Sequence, residues 1–215
     1  MSEKKFSKWT AEDVELFFGL AITKANKRLD EYTNVRHITI TPQEQQALQK
    51  LQLQLQDHVD DWNEEELKMK FIAFMIGMAE LDGEGYHTFL EREISFEAQG
   101  LKISGVVDLI LAEGFRSPRH PFFSLHEYKK ERNSANDPLG QVLIALMAAQ
   151  AINDDGLPLY GCYVVGRNWF FVVVDGKEYA KTLAYDATQD DIFDILRILK
   201  HLKTIVEQRI KTKSL

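Results

Sequence analysis

The sequence predicts an α/β domain built on one mixed sheet with helices packed against it. Three observations carry that prediction. Apolar or alternating segments of strand length recur between residues 87 and 185. A strongly apolar helical segment at 138–152 divides them into two groups of three. Amphipathic helical segments precede and follow the strands.

The first third reads as helical. Thr10-Ala11-Glu12-Asp13 opens a helix followed by Val14, Leu16, Phe17, Phe18, Leu20 and Ala21. Thr41-Pro42-Gln43-Glu44 is a stronger start, because threonine caps, proline suits the first turn and glutamate three residues on closes a capping box. Leu48, Leu51, Leu53, Leu55 and Val59 then line a glutamine-rich helix. A third helix begins at Asn63, again with a glutamate three residues later, and presents Leu67, Phe71, Phe74, Met75 and Met78. The breaker cluster Asp82-Gly83-Glu84-Gly85 ends it.

Residues 87–98 alternate, with Leu90, Ile94 and Phe96 on one side. Gln99-Gly100 marks a turn, 101–112 a second strand, and 122–130 a third after a loop carrying Pro118 and Pro121. Short connections make these an antiparallel meander. Asp137-Pro138 caps and starts the apolar helix, which Asn153-Asp154-Asp155-Gly156 ends. Strands follow at 159–166, 168–175 and 178–185. A last helix over 189–212 carries Ile192, Ile195, Leu196, Leu199, Leu202 and Val206. Residues 1–62 read as a helical extension packed on a core of 63–215, the whole forming one unit.

Bulk properties limit the function. The chain has 215 residues and one cysteine, Cys162, which excludes an internal disulfide and a thiolate zinc cluster. No apolar run approaches bilayer length, and MSEKKFSKWT lacks a signal-peptide core, so no membrane partner and a cytoplasmic location are expected. The net charge of −7 means that any nucleic-acid binding must rest on local clusters. One comprises Arg116, Arg119, His120, Lys129, Lys130 and Arg132. The other is the C-terminal run Arg197, Lys200, His201, Lys203, Arg209, Lys211 and Lys213, which reads better as a solvated face.

Chemistry concentrates on two strands. Asp108 interrupts the apolar run Val106-Val107-Asp108-Leu109-Ile110-Leu111, and Glu127 and Lys129 share one side of the next strand. If the strands are neighbours, Asp108 and Glu127 approach each other and repel unless a cation lies between them. A divalent cation with oxygen ligands, Mg²⁺ or Mn²⁺, suits that place. Lys129 would neutralise developing charge or help to activate water. Alternation turns His126 and Tyr128 away from such a site. Glu91 and Glu93 read as a solvated strand face.

This arrangement resembles the PD-(D/E)XK nuclease superfamily. The matching residues are Gly105-Val106-Val107-Asp108 on one strand, Glu127-Tyr128-Lys129 on the next, and Asp137-Pro138-Leu139-Gly140-Gln141 opening the following helix. The literal Pro-Asp pair is replaced by Val107-Asp108. The resemblance spans about residues 64 to 175. It implies a restriction-endonuclease-like αβββαβ core, with extra N-terminal helices and a C-terminal helix outside it. It also implies Mg²⁺-dependent (or Mn²⁺-dependent) phosphodiester hydrolysis, most simply of DNA, by a monomer or homodimer. Asp108 and Glu127 would then hold the metal, Lys129 act on water or developing charge, and Gln141 orient water or phosphate. The superfamily often adds an acidic residue on the preceding helix. Glu64 falls near the centre of that helix's apolar face, whereas Glu66 closes the capping box, so Glu64 is the functional candidate. Lys130, Arg132, Arg116 and Arg119 are the candidate backbone contacts. Two other readings stand beside this one: a non-catalytic nucleic-acid-binding or assembly module on the same fold, and a structural protein with a buried Asp108–Lys129 ion pair.

Overall fold

The structure is a computed structural model that describes residues 2–132 and 136–213; the side chain of Lys213, counted above with the C-terminal basic run, lies outside the described residues. In chain order the elements begin with β1 (Glu3–Lys5), α1 (Ala11–Phe18), β2 (Ala21–Ile22), α2 (Lys27–Thr33) and α3 (Pro42–His58). Then come α4 (Glu64–Leu67), a π-helical turn (Lys68–Ile72) and α5 (Ala73–Ala79). The strands β3 (Tyr86–Ala98), β4 (Leu101–Glu113) and β5 (Arg119–Lys129) follow, and α6 (Pro138–Asn153) separates them from β6 (Leu159–Val165), β7 (Asn168–Asp175), β8 (Glu178–Lys181) and β9 (Tyr185–Asp186). The last element is α7 (Asp191–Lys213).

The nine strands of the described residues belong to one mixed sheet. The β3–β4–β5 meander is antiparallel throughout. The α6 crossover makes β6 parallel to β5, and β7 and β8 continue antiparallel. The N-terminal segment is more than the helical extension expected, because β1 runs parallel to β4 and β2 parallel to β8. Glu3-Lys4-Lys5 carries no apolar period, so backbone pairing alone makes it a strand. The last expected strand, 178–185, also divides: β8 stops at Lys181, and β9 returns to the start of β7.

The caps follow the sequence chemistry. Thr10 with Asp13, Thr41 with Glu44 and Asn63 with Glu66 each close a capping box. Asp137 accepts the Gly140 N–H at 3.1 Å and, through its other oxygen, the Ala11 N–H at 2.7 Å. The N-terminal segment thereby docks on the first turn of α6. Gly140 is required there, since a Cβ would lie 2.5 Å from the backbone of Trp9 and Thr10.

Helices cover both faces of the sheet. One face packs α6 with Phe6, Trp9 and Val14; the other packs α3, α5 and α7 through Leu48, Leu55, Phe71, Met75 and Leu199. Two hydrogen bonds of 2.8 Å tie the Asn153 side chain to the backbone of Phe122: its oxygen accepts the Phe122 N–H and its amide nitrogen donates to the Phe122 carbonyl. The helix therefore runs back along β5, with its first turn toward the strand end that carries Glu127 and Lys129. The π-helical turn shifts the phase of the helix it interrupts. Ile72 is buried as a result, and Phe74, expected on the apolar face, is 56% exposed. The basic residues of α7 mostly tie the helix down. Arg197 meets Asp194, Lys200 meets Glu44, Arg209 meets Asp155, and Lys203 donates to the Glu80 carbonyl. Among the described residues no helix is long and apolar enough to cross a membrane.

Candidate active site

Leu109 pairs with His126 across β4 and β5; just beyond that pair the Asp108 carboxylate accepts the Tyr128 N–H, and its charge acts on Glu127. The adjacency on which the two-carboxylate reading depends is thus present. Asp108 lies where β3 and β4 both break alternation. Ile103 and Val107 face α6, and so do Ile110 and Ala112, so β4 reverses its parity between 107 and 110. On β3 the same reversal falls between Phe89 and Ile94, and Glu91 there has a φ of 52°. Left-handed backbone at a glutamate costs about 1–2 kcal/mol, and such strain concentrates at functional sites.

The break carries Asp108 out of the apolar run and toward α4. Its Oδ2 accepts the Tyr128 N–H at 2.7 Å, and its Oδ1 receives Lys68 Nζ at 2.7 Å. The buried ion pair that the structural-protein reading assigned to Asp108 and Lys129 is made between Asp108 and Lys68. Lys129 turns to Glu127, at 2.7 Å, and to Glu64, at 3.5 Å. The reason is alternation: Glu127 and Lys129 project from the same side of β5, so the lysine reaches its own strand's carboxylate first.

Lys68 begins the π-helical turn and gathers carboxylates. Besides Asp108 it contacts Glu91 at 3.1 Å, Glu64 at 3.2 Å and Glu65 at 3.4 Å. Burial pulls its pKa down, but the hydrogen bond and charge of Asp108, with Glu91 and Glu64, more than offset this and hold it above the ordinary lysine value. Sequence reasoning missed Lys68, although a signal existed: it stands four residues after Glu64, the spacing at which helical side chains meet. Glu91 is exposed, as read, and its carboxylate still reaches Lys68 from a left-handed backbone. Glu93 stays exposed on the strand face.

Glu127 is the most perturbed carboxylate of the group. It is 6% exposed. Burial, then the charge of Asp108, raises its pKa to about 7 against the opposing pull of Lys129. On the other side of β5, His126 bonds the Tyr128 hydroxyl at 2.9 Å and Ser124 Oγ at 3.2 Å. Burial lowers the His126 pKa to about 3, so the ring is neutral. Gln141, in the first turn of α6, is 7% exposed, and its side-chain oxygen has no hydrogen-bond partner among the described residues. A buried unpaired acceptor costs about 1–3 kcal/mol.

The candidate backbone contacts separate. Lys130 and Arg132 follow the site directly, and Arg132 pairs with Asp60 at 3.3 Å. Arg116 precedes β5 and Arg119 opens it. Ten residues of strand, ~30 Å, separate Arg119 from Lys129. Arg116 and Arg119 therefore lie at the opposite end of the strand, and the single basic cluster read from the sequence is two.

The donor set fits a hard divalent cation: its acidic groups are carboxylates, with main-chain carbonyls beside them. As the side chains stand, among the described residues no three His, Cys, Asp or Glu groups converge on one point. Lysines are interleaved with them, and the Lys68 ammonium holds the place toward which four carboxylates turn. No protein-family model matches the chain, and no curated protein matches it in sequence.

Proposed function

We propose that the chain is a metal-dependent phosphodiesterase acting on nucleic acid, DNA being the substrate that the resemblance implies, on a restriction-endonuclease-like fold. One observation carries this reading: ion pairs link Asp108, Glu127, Lys129 and Glu64, directly or through Lys68, where β3 and β4 break alternation. Asp108 and Glu127, with the carbonyl of Tyr128 beside them, would hold Mg²⁺ or Mn²⁺. Such an ion supplies Lewis-acid charge to a scissile phosphate and acidifies water. The remaining work falls to the protein. The Tyr128 N–H fixes the Asp108 carboxylate. Lys129, paired to Glu127, offers positive charge to the pentavalent phosphate. Gln141 orients the attacking water, and Glu64 holds Lys129 from the helical side.

A non-catalytic module on the same fold is the second reading. The interleaving of Lys68 and Lys129 with the carboxylates favours it, because these ions already neutralise one another. The assay that separates the two readings incubates purified protein with single-stranded DNA, duplex DNA or RNA in Mg²⁺, Mn²⁺ or EDTA. Cleavage of at least one substrate is expected with metal and none in EDTA. No cleavage of any substrate, with the protein shown folded, overturns the catalytic reading.

A further inference from the structure

A cavity of about 330 Å³ opens beside the carboxylate cluster. Met69, Ile72, Ile76 and Gly77 form its helical wall and Leu90 and Leu109 its sheet wall, and the charged Lys68, Asp108, Glu65 and Glu91 also line it. Two of the lining side chains are large, apolar and open to solvent: Met69 is 70% exposed and Leu90 58%. Apolar exposure next to so many charges is costly unless something covers it.

We propose that this slot receives one unstacked nucleobase of a single-stranded nucleic acid. The inference rests on the reading of Asp108 and Glu127 as a phosphate-handling site. A nucleotide joins the two chemistries found side by side here, a flat and largely apolar heterocycle and an anionic phosphodiester. The volume lies at the lower end of small-ligand clefts, which suits one heterocycle and excludes a stacked pair. Bases within a duplex are paired and stacked, and extracting one costs a few kcal/mol, least from a single strand. Charge points the same way. Duplex binding draws on many phosphate contacts, yet Arg116 and Arg119 lie at the far end of β5 and Arg132 is engaged with Asp60. Beside the carboxylates stand Lys129 and Lys130, and Arg92 and Arg116 border the adjoining cleft that shares Thr88 and Leu90 with the slot, a short cationic footprint.

Gly77 provides the test. A Cβ added there meets nothing within 4 Å, and leucine is a better helix former than glycine, so Gly77→Leu starts a bulky side chain from open space in the lining of the slot. Anisotropy is measured with fluorescein-labelled phosphorothioate oligonucleotides, whose backbone resists cleavage. Three are compared at one length: a single strand, its duplex and an abasic strand, each as DNA and as RNA where available. Wild-type protein is expected to bind the single strand about tenfold or more tighter than the abasic strand or the duplex. Gly77→Leu should lose that preference while its Tm holds or rises. The slot is disproved if wild type binds the abasic strand as tightly as the complete one, or if a folded Gly77→Leu keeps the preference. Asp108-dependent cleavage without base dependence would remove the slot and leave the phosphodiesterase reading standing. Base dependence without cleavage would keep the slot on a non-catalytic module.

Discussion

Asp108→Asn is expected to slow metal-dependent cleavage by about 10³-fold or more, the equivalent of losing roughly 4 kcal/mol of transition-state stabilisation. The fold should tolerate the change. Asparagine keeps the shape and an oxygen that can accept the Tyr128 N–H, now made at 2.7 Å. Lys68 retains Glu91 and Glu64 at 3.1 and 3.2 Å. Alanine at the same position removes both partners of the carboxylate and should cost more stability. Single-turnover rates and melting temperatures for wild type, Asp108→Asn and Asp108→Ala separate these effects. A rate for folded Asp108→Asn within threefold of wild type would remove this residue from the chemistry.

The second large effect is electrostatic and appears without metal. Glu127 has a folded pKa raised to about 7, by burial first and by Asp108 next. A carboxyl raised in the folded state contributes stability below its ordinary pKa of about 4.5, and that contribution is lost as the pH climbs through about 7. The loss is roughly 3 kcal/mol across that window. Glu127→Gln lacks the group, so its stability relative to wild type should increase from pH 4.5 to about 7 and then level off. Lys129→Met acts in the opposite sense. It withdraws the ammonium 2.7 Å from Glu127 and leaves a buried carboxylate to protonate or stay unpaired, a penalty of about 3–5 kcal/mol where it is charged. Lys129→Met should therefore be near wild type at pH 5 and strongly destabilised at pH 8, and adding Glu127→Gln should restore most of the loss. Denaturant unfolding of the four proteins at both pH values checks this. A Lys129→Met penalty that does not change with pH would show that the lysine matters for packing alone.

Much of the fold is legible in the sequence because its signals are local. Two capping boxes, the Thr10 and Asp137-Pro138 starts and the glycine turns place the main helices and strands, and short connections give the meander. The mixed α/β sheet follows from them. The candidate site is legible where it depends on strand order and helical angle: Asp108 on the strand next to Glu127 and Lys129, Glu66 at the cap, and Glu64 on the inner side of its helix, where it meets Lys129. What escapes is non-local. Nothing in Glu3-Lys4-Lys5 announces a strand, because its pairing is supplied by Lys102-Ile103-Ser104 far along the chain. Nothing about Glu91 announces a left-handed residue, since glutamate has no preference for it. Consequently neither the reversal of both strands nor the exposure of Leu90 could be read by alternation. Arg116 and Arg119 mislead for the converse reason. They are near Lys129 in sequence, and an extended strand turns that nearness into distance.

The central claim is that this carboxylate cluster binds a divalent cation in order to act on phosphodiesters. Titration of Mn²⁺ into metal-free wild-type protein by calorimetry tests it most directly, with Asp108→Asn alongside. Saturable binding to wild type, lost or weakened at least tenfold in the variant, is the expected result. An absence of binding to wild type, or equal binding to the two proteins, would contradict it.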